Sequence, residues 1–133
     1  RTPVETQSLL PTLMELAGLE PPGSGYAPSL ASHLRSGQEP EQRPLFSEFT
    51  LNSFAPNIEH DGRLVMVRHG DWKLSACIDP QVHDVVLCNL KNDLYERVNC
   101  ASDPDCAARR DELLELVSKH IDEAEQERCI ATR

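Results

Sequence analysis

The sequence predicts an α+β fold: a small antiparallel sheet of about four strands with a C-terminal helix packed on it, preceded by a helix and a long loop. Three observations indicate this fold. Apolar residues recur at helical spacing near the start and near the end of the chain. Between them, short apolar and β-branched runs alternate with turn signals. A helix laid on one face of a sheet would give these elements a common core.

The first helix is predicted over residues 4–18. Its apolar residues have the spacing of a helix buried on one side: Leu9, Leu10, Leu13, Met14 and Ala17. Ser8 is expected to cap its start, and Gly18 to end it. Residues 19–43 are rich in Pro, Gly and Ser and predict a surface loop with one short helix over 29–35. A loop this long suggests that residues 1–43 normally lie against a larger body.

Residues 44–133 are predicted to form a sheet-plus-helix subdomain. Strands are expected over 44–50, 64–76 and 84–90. The middle run contains a turn signal at residues 69–71, so two strands joined as a hairpin are expected there. The last helix is predicted over 104–125, with Asp103 as its N-cap and Pro104 at its first position. An apolar stripe along this helix should cover the sheet, with Arg109, Arg110, Glu112, Lys119 and Glu127 facing water.

Composition and charge exclude some classes of function. The 13 basic and 22 acidic residues give a formal net charge of −9, and no basic patch is visible, so nucleic acid is not an expected partner. No run approaches the ~18 apolar residues that a membrane-spanning helix needs. The chain starts at Arg1 without a signal peptide, which suggests a fragment and leaves the localisation unknown. A periplasmic or secreted location remains open if a parent protein carries a signal peptide.

Five cysteines leave at least one unpaired within the chain, and their spacing matches no zinc-binding pattern. Cys100 and Cys106 flank a turn and could close a small loop as a disulfide in an oxidising compartment. Cys77 and Cys88 are a second candidate pair across two strands. Buried free thiols are the alternative for all of them.

Five segments, in order, are similar to the closing third of the type I sulfatase family. Residues 4–18 resemble the pattern V-x-x-x-D-L-x-P-T-L-x-x-L-A-G, and residues 29–34 resemble the G-x-S-L-x-P-L-L segment. Residues 45–49 resemble V-F-S-E-Y, and residues 66–74 resemble M-V-R-x-G-x-Y-K-L. Residues 87–104 resemble the L-Y-D-L-E-x-D-P segment and the N-L-A-x-D-P that leads into the last helix. Ser8, Cys88, Asn89 and Leu94 depart from these patterns at positions interpreted as structural.

The resemblance implies a parent hydrolase of sulfate esters that uses calcium or a similar divalent cation and a formylglycine made from Cys in Cys-x-Pro/Ala-x-Arg. In the family those groups precede the segment that starts at Arg1, so this chain is expected to contain no catalytic residue, no metal ligand and no cofactor. The missing N-terminal catalytic domain is then its partner, and a small sulfate ester is the substrate of the parent. The same region of a phosphonate or phosphate ester hydrolase, or a non-enzymatic interaction module, are the alternatives.

Some residues of this chain are candidates for substrate binding or catalysis. His60 and Asp61, in the polar loop 52–62, could form a substrate-facing edge of the complete active site, although most loop histidines are simply solvated. Residues 106–110 satisfy the formylglycine pattern nominally, but a structural thiol or a disulfide to Cys100 is the favoured interpretation of Cys106. Trp72 is expected in the core rather than against a sugar, with Lys73 in solvent.

The other histidines are expected to be structural. His69 lies in the predicted turn between strands. His33, His83 and His120 have no partner at metal-binding spacing, and His120 is expected to pack at the border of the last helix.

Overall fold

The computed structural model describes residues 2–23, 26–50, 63–78 and 84–131, with the side chains of residues 50 and 127–131 left out. The chain forms two compact units, Arg1–Leu45 and Phe46–Arg133. Its helices are α1 (Leu9–Leu16), α2 (Ala31–Ser36) and α3 (Ala107–Ala131), and its strands are β1 (Leu45–Thr50), β2 (Arg63–His69), β3 (Trp72–Ile78) and β4 (Val85–Asn89). The predicted α+β fold is confirmed.

The first unit holds α1 and α2 together through polar contacts. The Thr12 hydroxyl donates to the Ser8 carbonyl at 2.5 Å and accepts from the Leu30 amide at 2.8 Å. The Arg35 guanidinium donates to the Glu15 carboxylate at 3.0 Å. A glycine with positive φ follows each of these two helices, Gly18 two residues after α1 with a φ of 75° and Gly37 directly after α2 with a φ of 70°, as the left-handed closing turn of a helix requires.

One prediction for the first helix is wrong, and the other is not met within this chain. Ser8 stands at the N-cap but makes no side-chain cap, because residues 6–8 already form a 3₁₀ turn and Ser8 itself has helical dihedral angles. The apolar side is not buried, because Leu9 is 61% exposed and Leu13 55% exposed. The buried residues of this segment are instead Ser8, Pro11 and Thr12.

The sheet has the order β1-β2-β3-β4 and is antiparallel. β2 and β3 form the predicted hairpin, in which His69 lies opposite Trp72 and Gly70 has a φ of 64°. A positive φ suits glycine, which has no Cβ to clash in the tight turn. β4 pairs with β3 so that Leu74 lies opposite Leu87.

Helix α3 covers one face of the sheet. It follows a 3₁₀ turn, Pro104–Cys106, whose first amides are capped as predicted: the Asp103 carboxylate accepts from the Asp105 amide at 3.0 Å. The core combines alternate residues of the central strands with one stripe of α3, as the periods of strand and helix dictate. Its buried members are Val65, Val67, Leu74, Ala76, Leu87, Ala101, Leu113 and Val117.

Two arginines of α3 that were predicted to face water bind backbone carbonyls instead. Arg109 Nη2 donates to the His69 carbonyl at 2.7 Å, and Arg110 Nη1 donates to the Ala101 carbonyl at 2.9 Å. Both contacts join the start of α3 to residues outside the helix. The periodicity of the helix alone could not predict these partners. The Glu127 side chain lies outside the described part of the chain. No helix within the described ranges is long and apolar enough to span a membrane.

Candidate functional site

The two predicted substrate-edge residues, His60 and Asp61, belong to residues 51–62, which lie outside the described ranges, as does His83. Their placement therefore stays a prediction. The chain on either side is described, since β1 ends at Thr50 and β2 begins at Arg63. The contacts made by these two strands determine what holds the ends of the predicted loop.

Four side chains on β1, β2 and α3 form a cluster, here called the Glu48 cluster: Phe46, Glu48, Arg63 and His120. The Glu48 carboxylate accepts from Arg63 Nε at 2.8 Å through one oxygen and lies 2.8 Å from His120 Nε2 through the other. The rings of Phe46 and His120 stack with centroids 4.1 Å apart and planes 1° apart. The cluster thus joins β1, β2 and α3.

Local geometry explains why these residues meet. Phe46 and Glu48 are two positions apart on β1, so both side chains point to the same face of the sheet, and α3 carries His120 over that face. Arg63 opens β2, the neighbouring strand. The predicted packing of His120 at the border of the last helix is confirmed by these contacts.

The electrostatics of the Glu48 cluster keep the carboxylate charged. Burial by itself would raise the pKa of Glu48, but the hydrogen bonds and charges of Arg63 and His120 more than offset it and lower the pKa below its ordinary value. Glu48 is consequently ionised near neutral pH, with both oxygens engaged. Such a carboxylate joins β1 to β2 and α3, and it is poorly placed to accept a proton from a substrate.

Cys106, the nominal nucleophile, occupies a structural environment. Burial raises the pKa of its thiol, and a hydrogen bond with Cys100 and the nearby Asp103 and Asp105 charges raise it further. The thiolate is the nucleophilic form of cysteine, and these contacts disfavour it. Arg110, the arginine of the pattern, donates to the Ala101 carbonyl at 2.9 Å. This environment favours the structural interpretation of Cys106.

The second predicted cysteine pair is wrong. Cys88 lies opposite Lys73, whereas the Cys77 amide donates to the Asp84 carbonyl. The two cysteines are therefore four positions apart along the β3–β4 ladder, about 13 Å, and a disulfide needs Cα atoms within about 7 Å.

The turn between β2 and β3 supports the structural interpretation of His69. Its carbonyl accepts from Arg109, and its Nδ1 lies 3.7 Å from Glu112 Oε1. Trp72 packs against the core, as predicted. Lys73 does not simply face solvent, because its Nζ lies 2.7 Å from the Glu96 carboxylate.

Sequence reasoning missed Glu48 and Arg63 as partners and noticed Asn99 only as a pattern position. The side-chain oxygen of Asn99 accepts from the backbone amides of Leu87 and Ala101 at 3.0 Å each, and its side-chain nitrogen donates to the Val85 carbonyl at 3.1 Å. These bonds hold the loop after β4 against that strand. An asparagine a few residues before a helix cap, a residue type whose side chain often binds the backbone amide two residues on, is the local signal that could have found it.

The described residues do not fit a metal site. Within the described ranges, no group of three or more His, Cys, Asp or Glu side chains is arranged to hold an ion. His33 lies in the last turn of α2, and His120 is engaged by Glu48. The calcium and formylglycine expected of the parent enzyme concern residues outside this chain and stay a prediction.

Comparisons with solved structures give the class of protein to which this fold is similar. A protein of Bacteroides thetaiotaomicron assigned to the sulfatases matches with 28% identity and a TM-score of 0.72, covering 89% of this chain and 24% of its own. A 2-O GAG sulfatase matches with the same values. The phosphonate monoester hydrolase of Agrobacterium radiobacter matches with 25% identity and a TM-score of 0.62, covering 85% of this chain and 24% of its own.

No protein-family model and no curated protein sequence matches this chain. The likeness rests on structure neighbours that are sulfatases and a related ester hydrolase. The chain spans about a quarter of the length of these neighbours. It therefore has the fold of a sulfatase-like region, and the activity of a complete protein is a matter for proposal.

Proposed function

We propose that this chain is the C-terminal subdomain of a sulfatase-like hydrolase that cleaves sulfate esters, and that it completes and shields the catalytic part without being catalytic alone. The observation that carries the proposal is the match of nearly the whole chain to a quarter of two sulfatase chains. The sequence patterns, which follow the family's order, support the same assignment independently of the coordinates.

The exposed face of α1 supports a role in completing a larger fold. Leu9, Leu10, Leu13 and Leu16 are each 45% exposed or more, and all four lie on one eight-residue helix. A helix this short is marginal in water without tertiary packing. Burial against the catalytic part of the same polypeptide would remove this apolar surface from water and stabilise the helix.

The Glu48 cluster supports a substrate-edge role for residues 51–62, with His60 and Asp61 as the residues that meet substrate. A loop that carries recognition residues is most useful when rigid elements hold its ends. Glu48 near the end of β1 and Arg63 at the start of β2 are joined by two hydrogen bonds, and α3 braces them through His120. The catalytic nucleophile and calcium ligands would come from the preceding part of the polypeptide.

The phosphonate monoester hydrolase neighbour favours a second candidate substrate. Its match covers nearly as much of this chain as the sulfatase matches do. A complete protein of that kind would use the same scaffold and differ in the ester that it accepts. A non-enzymatic interaction module is the remaining alternative.

The complete coding sequence tests the proposal. We expect a Cys-x-Pro/Ala-x-Arg motif upstream, and hydrolysis of an aryl sulfate by the complete protein faster than hydrolysis of a matched aryl phosphonate. The reverse preference would transfer the assignment to the phosphonate hydrolases. Absence of the motif together with no hydrolysis of either ester would leave the interaction module.

The substrate-edge role has its own test in the complete protein. We expect the double variant His60→Ala and Asp61→Ala to lower kcat/KM by about tenfold, which corresponds to ~1.4 kcal/mol of transition-state binding, with an unchanged melting temperature. Asn57→Ala in the same segment is the matched control. Equal kcat/KM for both variants and the parent would remove His60 and Asp61 from the substrate edge while leaving the sulfatase assignment intact.

A further inference from the structure

The turn that leads into α3 brings Cys100 and Cys106 together. The Cys100 amide donates to the Leu87 carbonyl of β4 at 2.9 Å. The Asp103 amide then donates to the Cys100 carbonyl, and the Cys106 amide to the Asp103 carbonyl, each at 3.0 Å. Two successive tight turns thus fold the chain back between the cysteines, and the Asp103 carboxylate braces the second by accepting from the Asp105 amide.

The two side chains meet at the edge of the core. Cys100 and Cys106 are both free thiols, both pack against the buried cluster, and the Cys100 thiol is close enough to raise the pKa of Cys106. The Cys100 thiol also donates to the Leu87 carbonyl at 3.1 Å. Joining two neighbouring thiols as a disulfide requires both side chains to rotate until the sulfur atoms are ~2 Å apart, with the Cα atoms within about 7 Å.

We propose that Cys100 and Cys106 are oxidised to a disulfide that fastens the start of α3 to the chain leaving β4. With oxidised glutathione as the oxidant, one cysteine thiolate attacks a glutathione sulfur and releases one reduced glutathione. The second thiolate then attacks the mixed disulfide and releases the other. The protein loses two protons and two electrons, and the glutathione disulfide is reduced to two thiols.

The surroundings of Cys106 control how fast the disulfide can form in the folded protein. Burial, the Cys100 contact and the Asp103 and Asp105 charges all raise the pKa of Cys106, so little thiolate exists at neutral pH. Oxidation of the folded protein should therefore be slow at neutral pH and accelerate as the pH rises. Oxidation of the folded protein is therefore tested at about pH 9, where a larger fraction of Cys106 is thiolate.

The sequence provides an internal comparison for the test. Trypsin cleavage after Arg97 and Arg109 gives peptide 98–109, which contains Cys100 and Cys106. Cleavage after Lys73 and Lys91 gives peptide 74–91, which contains Cys77 and Cys88. The second pair is too far apart in the β3–β4 ladder to join. Cys129 falls in a third peptide, 129–133.

The intact folded protein is treated with oxidised glutathione. It is then unfolded in denaturant that contains N-ethylmaleimide, which blocks the remaining free thiols. The tryptic peptides are mapped by mass spectrometry. We expect peptide 98–109 to be lighter by two hydrogen atoms and free of maleimide, and peptide 74–91 to carry two maleimides. The melting temperature should rise by about 5–10 °C on oxidation and return on reduction.

Matched variants separate the pair from the other cysteines. Cys106→Ser should abolish both the mass change and the stabilisation, whereas Cys77→Ser should keep both. Two maleimides on peptide 98–109 after oxidation of the folded parent protein would overturn the proposal without reference to any variant. A cross-link between Cys106 and Cys129 would overturn it equally. Neither result bears on the sulfatase assignment.

Discussion

Glu48 shows how one side chain can join three elements. Its carboxylate binds Arg63 at the start of β2 and His120 on α3, and its pKa is lowered by those partners. A carboxyl whose pKa is lower in the folded than in the unfolded state stabilises the fold at pH values above its unfolded pKa. That contribution is lost as the pH falls through the lower, folded value.

We expect Glu48→Ala to destabilise the chain at pH 7 by about 1–2 kcal/mol, because Arg63 and His120 both lose a charged hydrogen-bond partner at a partly exposed site. The difference from the parent should shrink as the pH falls below the ordinary pKa of a glutamate and through the lower pKa of Glu48, where the parent carboxylate becomes protonated. Urea unfolding at a series of pH values measures both effects.

Glu123→Ala is the matched control for Glu48→Ala. Glu123 is 63% exposed and lies 3.9 Å from Lys119 one turn earlier on α3. Such a pair contributes less than about 0.5 kcal/mol. An equal loss of stability in the two variants would show that the Glu48 cluster does not join the three elements.

At the scale of elements, the two long apolar patterns of the sequence have opposite outcomes. The stripe on α3 is buried on the sheet, with Leu113 and Val117 almost fully enclosed. The stripe on α1 stays exposed, although its spacing is equally regular. Periodicity identifies which residues share a face of a helix, but it does not determine whether this chain supplies the surface that covers that face.

The burial of α3 predicts a position-dependent cost of truncation. Leu113→Ala should destabilise the chain by about 2–5 kcal/mol, because a fully enclosed side chain leaves a cavity. Leu116→Ala, three positions along the same helix and only partly buried, should cost markedly less. Thermal and urea unfolding of the two variants provide the comparison. Equal costs would mean that α3 does not pack on the sheet through Leu113.

For the whole molecule, the exposed leucines of α1 and the quarter-length match to the neighbours both agree with the larger polypeptide that we propose. The same substitution should then act differently in two settings. Leu13→Lys in this chain should leave its stability within about 0.5 kcal/mol, since Leu13 is 55% exposed, and should reduce binding of an apolar dye.

In the complete protein, Leu13→Lys should lower the melting temperature by several degrees, because it would place a charge in a buried contact. Leu94→Lys is the matched control, since Leu94 is 73% exposed and lies in the second unit. Identical behaviour of Leu13→Lys in both settings would show that α1 does not contact the catalytic part.

Local chemistry explains what was predictable from the sequence. Alternation and turn residues predicted the four strands and the hairpin at Gly70, and the Asp103 cap followed from residue type and position. These features depend on neighbours within a few positions. The predicted Ser8 cap failed because a 3₁₀ turn of the preceding residues already supplied helical geometry.

Only the tertiary structure decided the contacts between distant residues. Glu48 meets Arg63 across 15 positions and His120 across 72, and Arg109 meets the His69 carbonyl across 40. The strands, the helices and their apolar faces follow from the sequence, because hydrophobic period and turn chemistry are local. Which faces are covered, which charges pair and which cysteines meet depended on strand register and helix placement, which bring together residues that no local pattern connects.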